Sequence, residues 1–276
     1  MAIKNLLIAY NGTESSDAAL ELALHMRDKY DAHLTGLLAH TPGVMNQASV
    51  AWIPKDVQEK VAQAQVQNAK DIEAKFKQRI ASSSAKDKIH WVTKRGDGDP
   101  TLARCARLYD LTIIGRYDAV LGEDQPELHP DMIAMVSGRP VLLVPRDYDI
   151  SSFNEHAVLA WDGKRAAARA LSDAMQILET KSLVKIVTIS DGEVDSCMPD
   201  INIETALQRH GVKTERVHLE RKGKSVGKCL LKYLEKSEAN LLVMGAYEHS
   251  KFRQSIIGGV TSSVLKKAKV PIIVSH

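Results

Sequence analysis

The stretch Leu241-Leu-Val-Met-Gly-Ala-Tyr-Glu-His-Ser-Lys-Phe-Arg-Gln-Ser-Ile-Ile-Gly-Gly-Val-Thr-Ser-Ser-Val-Leu-Lys-Lys-Ala-Lys-Val-Pro-Ile-Ile-Val274 decides the fold. A short apolar run ends in Gly245. A polar loop follows, and Gly258 and Gly259 then open an amphipathic segment that runs to Ala268. Pro271 introduces a second apolar run. Continuous β-branched runs of this length suit parallel strands covered on both faces. The stretch therefore reads as strand, loop, helix, strand. Glycines just before a helix let backbone N–H groups approach an anion, and the helix N-terminus favours negative charge. Thr261 can add a hydroxyl. The residues alone read equally as a phosphate-binding turn or as a plain glycine-containing helix entry.

The same pattern occurs twice in the chain. Leu111-Thr-Ile-Ile-Gly-Arg-Tyr117 matches Leu241-Leu-Val-Met-Gly-Ala-Tyr247, and Arg139-Pro-Val-Leu-Leu-Val144 matches Val270-Pro-Ile-Ile-Val-Ser275. Upstream, Asn5-Leu-Leu-Ile-Ala-Tyr-Asn-Gly12 matches His156-Ala-Val-Leu-Ala-Trp-Asp-Gly163. Both copies then enter an Ala-rich amphipathic stretch, residues 15–30 and 164–180. Three matches in one order argue for duplication. The first pair lies 151 positions apart (Asn5 to His156) and the second 130 (Leu111 to Leu241). The first copy thus holds about 21 extra residues, assigned to 41–84. There Val57, Val61, Ala64, Asn68, Ile72 and Phe76 recur at helical spacing, which predicts a long helix over 56–81 with one apolar stripe. The join, 146–155, is polar and aperiodic. With 276 residues, the chain divides into domains 1–148 and 149–276.

Each half alternates five apolar runs with amphipathic segments. Strands are expected near 5–10, 33–39, 89–94, 111–115 and 140–144, then near 157–161, 183–189, 214–220, 240–245 and 271–275. This predicts an α/β fold of two tandem Rossmann-like domains. Each has a five-stranded parallel sheet with helices on both faces. Ligands of such sheets sit beyond the carboxyl ends of the strands, at the switch point. The first and fourth strands flank it. Their ends carry Asn11-Gly12 and Gly115 in the first half, Asp162-Gly163 and Gly245 in the second.

The Leu241–Val274 stretch resembles the C-terminal signature of universal stress proteins. In nucleotide-binding members it reads G-x2-G-x9-G-[ST], followed by a helix and a Val-Pro-Val-type last strand. Gly245 fits the first glycine and Gly258 the third. The opening strand with Asp162-Gly163 is similar to the family's first strand, whose aspartate sits by the nucleoside. The resemblance covers both halves, and it implies an adenine-nucleotide-alpha-hydrolase-like fold. It also implies an adenine nucleotide, ATP or AMP with or without Mg²⁺, in the second half. Ala160 and Asp162 would lie near the nucleoside, with Thr188 and Ile189 touching the base. Gly245 and Ala246 would lie near ribose and phosphate, and Met244 would also belong to the site. Gly258, Gly259, Val260 and Thr261 would surround the phosphates. Two positions depart from the signature: Glu248 stands at the second glycine and Gly259 at the Ser/Thr. A carboxylate beside phosphates repels them by about a kcal/mol or more when partly buried. Mg²⁺ or a proton would relieve this, unless Glu248 points to solvent. The first half departs further. Asn11 replaces the aspartate, an acidic loop with Pro126 follows Gly115, and no glycine pair precedes the last helix at 129–131. That crevice reads as degenerate for nucleotide.

Composition narrows the function classes. The net charge of +3 is too small for a nucleic-acid tail, and the densest basic spot, Arg221, Lys222 and Lys224, reads as a solvated turn. No apolar run approaches 18 residues, and the N-terminal run is too short for a signal segment. Mean hydropathy is −0.20. A soluble cytoplasmic protein with neither nucleic-acid nor membrane partner is expected. Cys105, Cys197 and Cys229 form no CxxC pair; Cys105 and Cys229 read as buried structural thiols. Arg221-Lys-Gly-Lys-Ser225 fails as a Walker A loop because His218 stands where glycine is needed. No GxSxG or HExxH motif occurs, and the ten histidines show no metal spacing. His249 reads as an exposed loop residue, and Tyr117 and Tyr247 as packing residues. No nucleophile–base set is legible, so at most slow ATP hydrolysis is expected. The leading expectation is a stress-response regulator linked to adenine nucleotide. The alternatives are an interaction scaffold using the long helix, or a binder of another small ligand. The resemblance also implies an internal pseudo-dimer paired through the last strands, opened by Pro140 and Pro271, and allows a further homodimer.

Overall fold

A computed structural model of the chain describes residues 3–40, 54–117, 127–191, 201–246 and 259–276. The first half runs β1 (Asn5–Ala9), α1 (Glu14–Tyr30), β2 (His33–His40), α2 (Lys55–Arg79), β3 (Ile89–Arg95), α3 (Gly98–Ala106), β4 (Leu111–Gly115), α4 (Pro130–Ser137) and β5 (Val141–Val144). The second repeats the order: β6 (His156–Ala160), α5 (Arg165–Leu178), β7 (Leu183–Ile189), α6 (Ile203–Arg209), β8 (Thr214–Leu219), α7 (Val226–Leu234), β9 (Leu242–Gly245), α8 (Val260–Lys267) and β10 (Ile272–Ser275). The expected strands all form, within a residue or two of the expected ends.

The ten strands make one sheet in the order β3-β2-β1-β4-β5-β10-β9-β6-β7-β8. Pairing is parallel within each half. The halves join where β5 meets β10 antiparallel, with Leu142 opposite Ile273 and Val141 opposite Val274. Pro140 and Pro271 stand just before these two strands, where no ladder donor is required. Their carbonyls still serve the sheet, accepting from Thr112 N at 3.1 Å and Leu242 N at 2.9 Å.

Alternate strand residues feed two apolar layers. Leu6, Ile8, Leu142, Leu159 and Ile273 pack on the face covered by α1, α2, α5 and α6. Leu7, Leu143, Val158 and Val274 pack on the face covered by α3, α4, α7 and α8. Both layers continue across the β5–β10 seam, so the halves share one core on each face. Polar contacts reinforce the seam. Lys29 Nζ donates to both oxygens of Glu155 at 2.9 and 3.1 Å, and Tyr30 Oη lies 3.2 Å from Thr180 Oγ1.

Two expectations need correction. The α2 stripe is buried only at Ile72 and Phe76, whereas Val57 and Val61 are 39% and 38% exposed. A helix of 25 residues spans about 37 Å. The eight residues of β2 span only about 26 Å. Ile72 packs at Gly12, beside the carboxyl end of β1, so the earlier turns project past the sheet. Cys105 and Cys229 are half-buried rather than buried, because they flank the stripes formed by Leu102, Ala103 and Ala106 on α3 and by Leu230 and Leu234 on α7. Cys197 lies outside the described residues. No helix among the described residues is long and apolar enough to cross a membrane.

Candidate functional site

Adjacent parallel strands β6 and β9 end side by side, as β1 and β4 do, and a crevice opens beyond each pair. The glycine closing the fourth strand has a steric cause. A Cβ on Gly245 would stand 2.4 Å from the Ala166 carbonyl carbon, and one on Gly115 2.3 Å from Ser15 O. The first turns of α5 and α1 press directly on these strand ends. The loop after the first strand is likewise built twice. Asp162 Oδ1 accepts from Lys164 N at 3.0 Å, and Asn11 Oδ1 from Thr13 N at 3.2 Å. The next residues, Gly163 and Gly12, turn the chain at φ 74° and 80°. Such Asx turns accept Asn or Asp equally. Only Asp162 adds a negative charge.

The crevice of the second half is a cavity of about 510 Å³. Ala160, Trp161, Asp162 and Lys164 wall it from β6 and the following turn, and Val187, Thr188, Ile189 and Ser190 from β7. Met244 and Gly245 form the β9 side, Ala166 and Ala167 the α5 side, and Val226 and Leu230 the α7 side. Val260 and Thr261 bring the first turn of α8 to its rim. Gly259 is the N-cap of α8, with no side-chain cap among the described residues and no acidic residue in the first turn. The leading N–H groups of a helix have no intrahelical acceptor, so this end favours an anion. Asp162 and Lys164 are the only ionisable side chains among the described lining residues. No cluster of three metal-ligating side chains occurs among the described residues.

Ala160, Asp162, Thr188, Ile189, Met244, Gly245, Val260 and Thr261, singled out from the sequence, thus line one cavity. Gly259 adjoins it. Ala246 does not: it is fully buried, its N–H donates to Ser275 O at 2.7 Å, and its carbonyl lies 2.8 Å from His276 Nδ1. Glu248, His249, Tyr247 and Gly258 lie outside the described residues. Trp161 and Lys164 were missed although they flank Asp162 in the turn. Val226 and Leu230 carry no sequence signal for the site, because helix α7 joins it only through the fold.

The first crevice holds only about 60 Å³. Leu128 closes it on the α3 side. Leu128 Cδ2 lies 2.8 Å from where a Cβ of Gly98 would stand, and Asp99 fixes that closure by accepting from His129 N at 3.0 Å and pairing with His129 Nδ1 at 2.7 Å. Helix α2 packs against the turn after β1. Ile72 Cγ1 sits 3.4 Å from the Cβ position of Gly12, and Lys75 Nζ donates to Gly12 O. Asp17 locks α2 to α1, taking Arg79 at 2.6 Å, Lys75 at 3.0 Å and the Tyr10 hydroxyl at 2.6 Å. Burial, then that bond to Asp17, push the Tyr10 phenol well above its ordinary range. Tyr117 lines this crevice. Three hydroxyls of the crevice lining are already engaged: Ser16 Oγ donates to Thr13 O, Thr13 Oγ1 to Asn11 Oδ1, and Ser15 Oγ to Arg116 O.

Comparison with known proteins gives a consistent result. The sequence profile of the Universal stress protein family matches residues 2–117 and 154–276. The universal stress protein Slr1230 of Synechocystis sp. (strain ATCC 27184 / PCC 6803 / Kazusa) is 26% identical over 175 residues, 60% of this chain and 57% of that protein. The match therefore spans little more than half the length of that relative. Among solved structures, a universal stress protein from Archaeoglobus fulgidus DSM 4304 superimposes with TM-score 0.74 at 17% identity, covering 99% of this chain and 96% of its own. A putative universal stress protein from Pseudomonas aeruginosa UCBPP-PA14 gives 0.59 at 14% identity, covering 99% and 93%. These structures share the fold across both halves.

Proposed function

The chain belongs to the universal stress protein family, and on that premise we propose that its second half binds an adenine nucleotide, ATP or AMP, and acts as a nucleotide-linked regulator in stress response. The observation that carries the reading is the cavity of about 510 Å³ under the open first turn of α8. Its size suits a small-molecule ligand, and its wall is mostly apolar with few convergent polar groups. The base would lie against Val187, Thr188 and Ile189, beside Trp161. Asp162 would accept from a ribose hydroxyl with the oxygen that the Lys164 N–H does not use. The phosphates would meet Gly259, Val260 and Thr261, joined by Gly258. Lys164 would add a positive charge at the rim. Glu248 would favour AMP, or ATP carried with Mg²⁺, because a bare triphosphate meets the stronger repulsion.

The same reading makes 1–148 and 149–276 the working units, with the first closed to nucleotide. It places the protein in the cytoplasm and allows pairing of two chains. A bound nucleotide would act by differing affinity for two conformations. Any ATP turnover would be slow, since the described cavity lining offers no nucleophile with an adjacent base. The test is Gly258→Asp, which sets a carboxylate among the proposed phosphate donors. Loss of ATP and AMP binding by this folded variant is expected in calorimetry; affinity equal to wild type would remove this map of the site.

A further inference from the structure

Arg116 directly follows β4 in the first half. Its backbone is held on both sides: the N–H donates to Val144 O at 2.7 Å, and the carbonyl accepts from Ser15 Oγ. Its side chain leaves that half. Nη1 donates to Ala268 O at 2.6 Å, 152 positions away. Ala268 is the buried C-cap of α8. This helix has eight residues, a rod of about 12 Å. At its other end, Val260 and Thr261 line the cavity of the second half. Terminal helix carbonyls have no intrahelical partner, and a cation there is favourable. A guanidinium from one half therefore ties down the far end of the helix that faces the cavity of the other.

A converse bond exists. Arg169 Nη2 on α5 donates to Gly138 O, the C-cap of α4, at 3.3 Å. Helix α4 is the first-half counterpart of α8. Each half thus lends an arginine to the last helix of the other. The other cross-half bonds described above, Lys29 to Glu155 and Tyr30 to Thr180, do not touch α8.

We propose that Arg116 is a positioning residue for the second-half ligand site: by fixing the end of α8 against the first half, it sets where the first turn stands over the cavity. The inference rests on the nucleotide reading above and extends it. It gives the first half, whose own crevice is closed, a part in the site of the second. It also implies that the second half alone holds its ligand less well than the full chain.

The experiment titrates the full chain with ATP and Mg²⁺ by calorimetry, comparing wild type with Arg116→Met, Arg116→Lys and Arg169→Met, and follows amide hydrogen exchange across α8. Loss of one charge-assisted hydrogen bond acts on a scale of about tenfold in an equilibrium constant. Arg116→Met is expected to bind about tenfold more weakly and to exchange its α8 amides faster. Arg116→Lys should recover part of the affinity, since the ammonium can still donate. Arg169→Met, which breaks the converse bond, should stay within about twofold of wild type. Equal affinity and exchange in wild type and Arg116→Met would overturn the inference and leave the nucleotide reading standing. Equal weakening by Arg169→Met would also overturn it, because general loosening of the seam would then suffice. A wild-type chain that takes up no ATP would remove the nucleotide reading and this inference together.

Discussion

Lys181 is the residue whose chemistry most exceeds its appearance in the sequence, where it is one lysine after a helix. Its side chain is 1% exposed, its Nζ lies 3.5 Å from Glu155 and 4.2 Å from the Phe153 ring centroid, and it shares Glu155 with Lys29. Burial lowers its pKa to about 8 against an attraction to Glu155 that raises it. For Glu155, burial pushes upward, yet the bond from Lys29 and the two ammonium charges hold the carboxyl below its usual range. The sign of the stability effect follows. Between pH 8 and 10 the folded Lys181 loses its proton while the unfolded one, near 10.5, keeps it. The unfolded chain then binds more protons, so this group makes stability rise with pH across that window. The full effect is about 3 kcal/mol. Above pH 10 the raised phenols of Tyr10 and Tyr148 act in the opposite sense, because their unfolded forms ionise first. Urea unfolding of wild type at pH 8 and pH 9.5 should show the rise, and Lys181→Met should flatten it. The same slope in both chains would contradict the burial of this amine.

At the scale of elements, the duplicated helix–strand contact explains what the sequence could reveal. Buried parallel strands are continuous apolar runs, so all ten were legible. Gly115 and Gly245 were legible as repeated positions, but their reason was not. Each stands against the backbone of the first helix of its own half, at Ser15 or Ala166, a contact between segments far apart in the chain. Gly245→Ala should cost about 2 kcal/mol by overpacking, since the added methyl meets backbone rather than a movable side chain. A change under about 0.5 kcal/mol in urea unfolding would show that α5 can yield there. Helix α2 illustrates the limit. Periodicity identifies an apolar stripe, but not how much sheet lies beneath it, so Val57 and Val61 could not be distinguished from Ile72 and Phe76. Asn11 and the missing glycine pair mark the first crevice as degenerate for nucleotide in sequence, but they carry no sign of its closure. The plug of Leu128 on Gly98 was not readable, because it depends on two helix starts meeting in space.

For the whole molecule, duplication has produced one sheet with two unlike crevices. The β5–β10 seam gives both halves common cores, and ionic contacts span it. One crevice is narrowed by Leu128; the other stays open beneath α8. Internal repetition in the sequence found the duplication, and the family resemblance pointed to half of the lining positions of the open crevice. The arginine that reaches from one half to the last helix of the other emerged only when the halves were seated together. On the reading proposed above, the open crevice takes an adenine nucleotide despite Glu248. Calorimetric titration of the full chain with ATP and AMP, with and without Mg²⁺, beside Glu248→Gly, tests it most directly. Saturable wild-type binding near one site per chain is predicted, with tighter ATP binding in Glu248→Gly when Mg²⁺ is absent. No binding by the wild type under any of these conditions would contradict the claim, and binding by Glu248→Gly alone would identify that carboxylate as the group that closed the site to nucleotide.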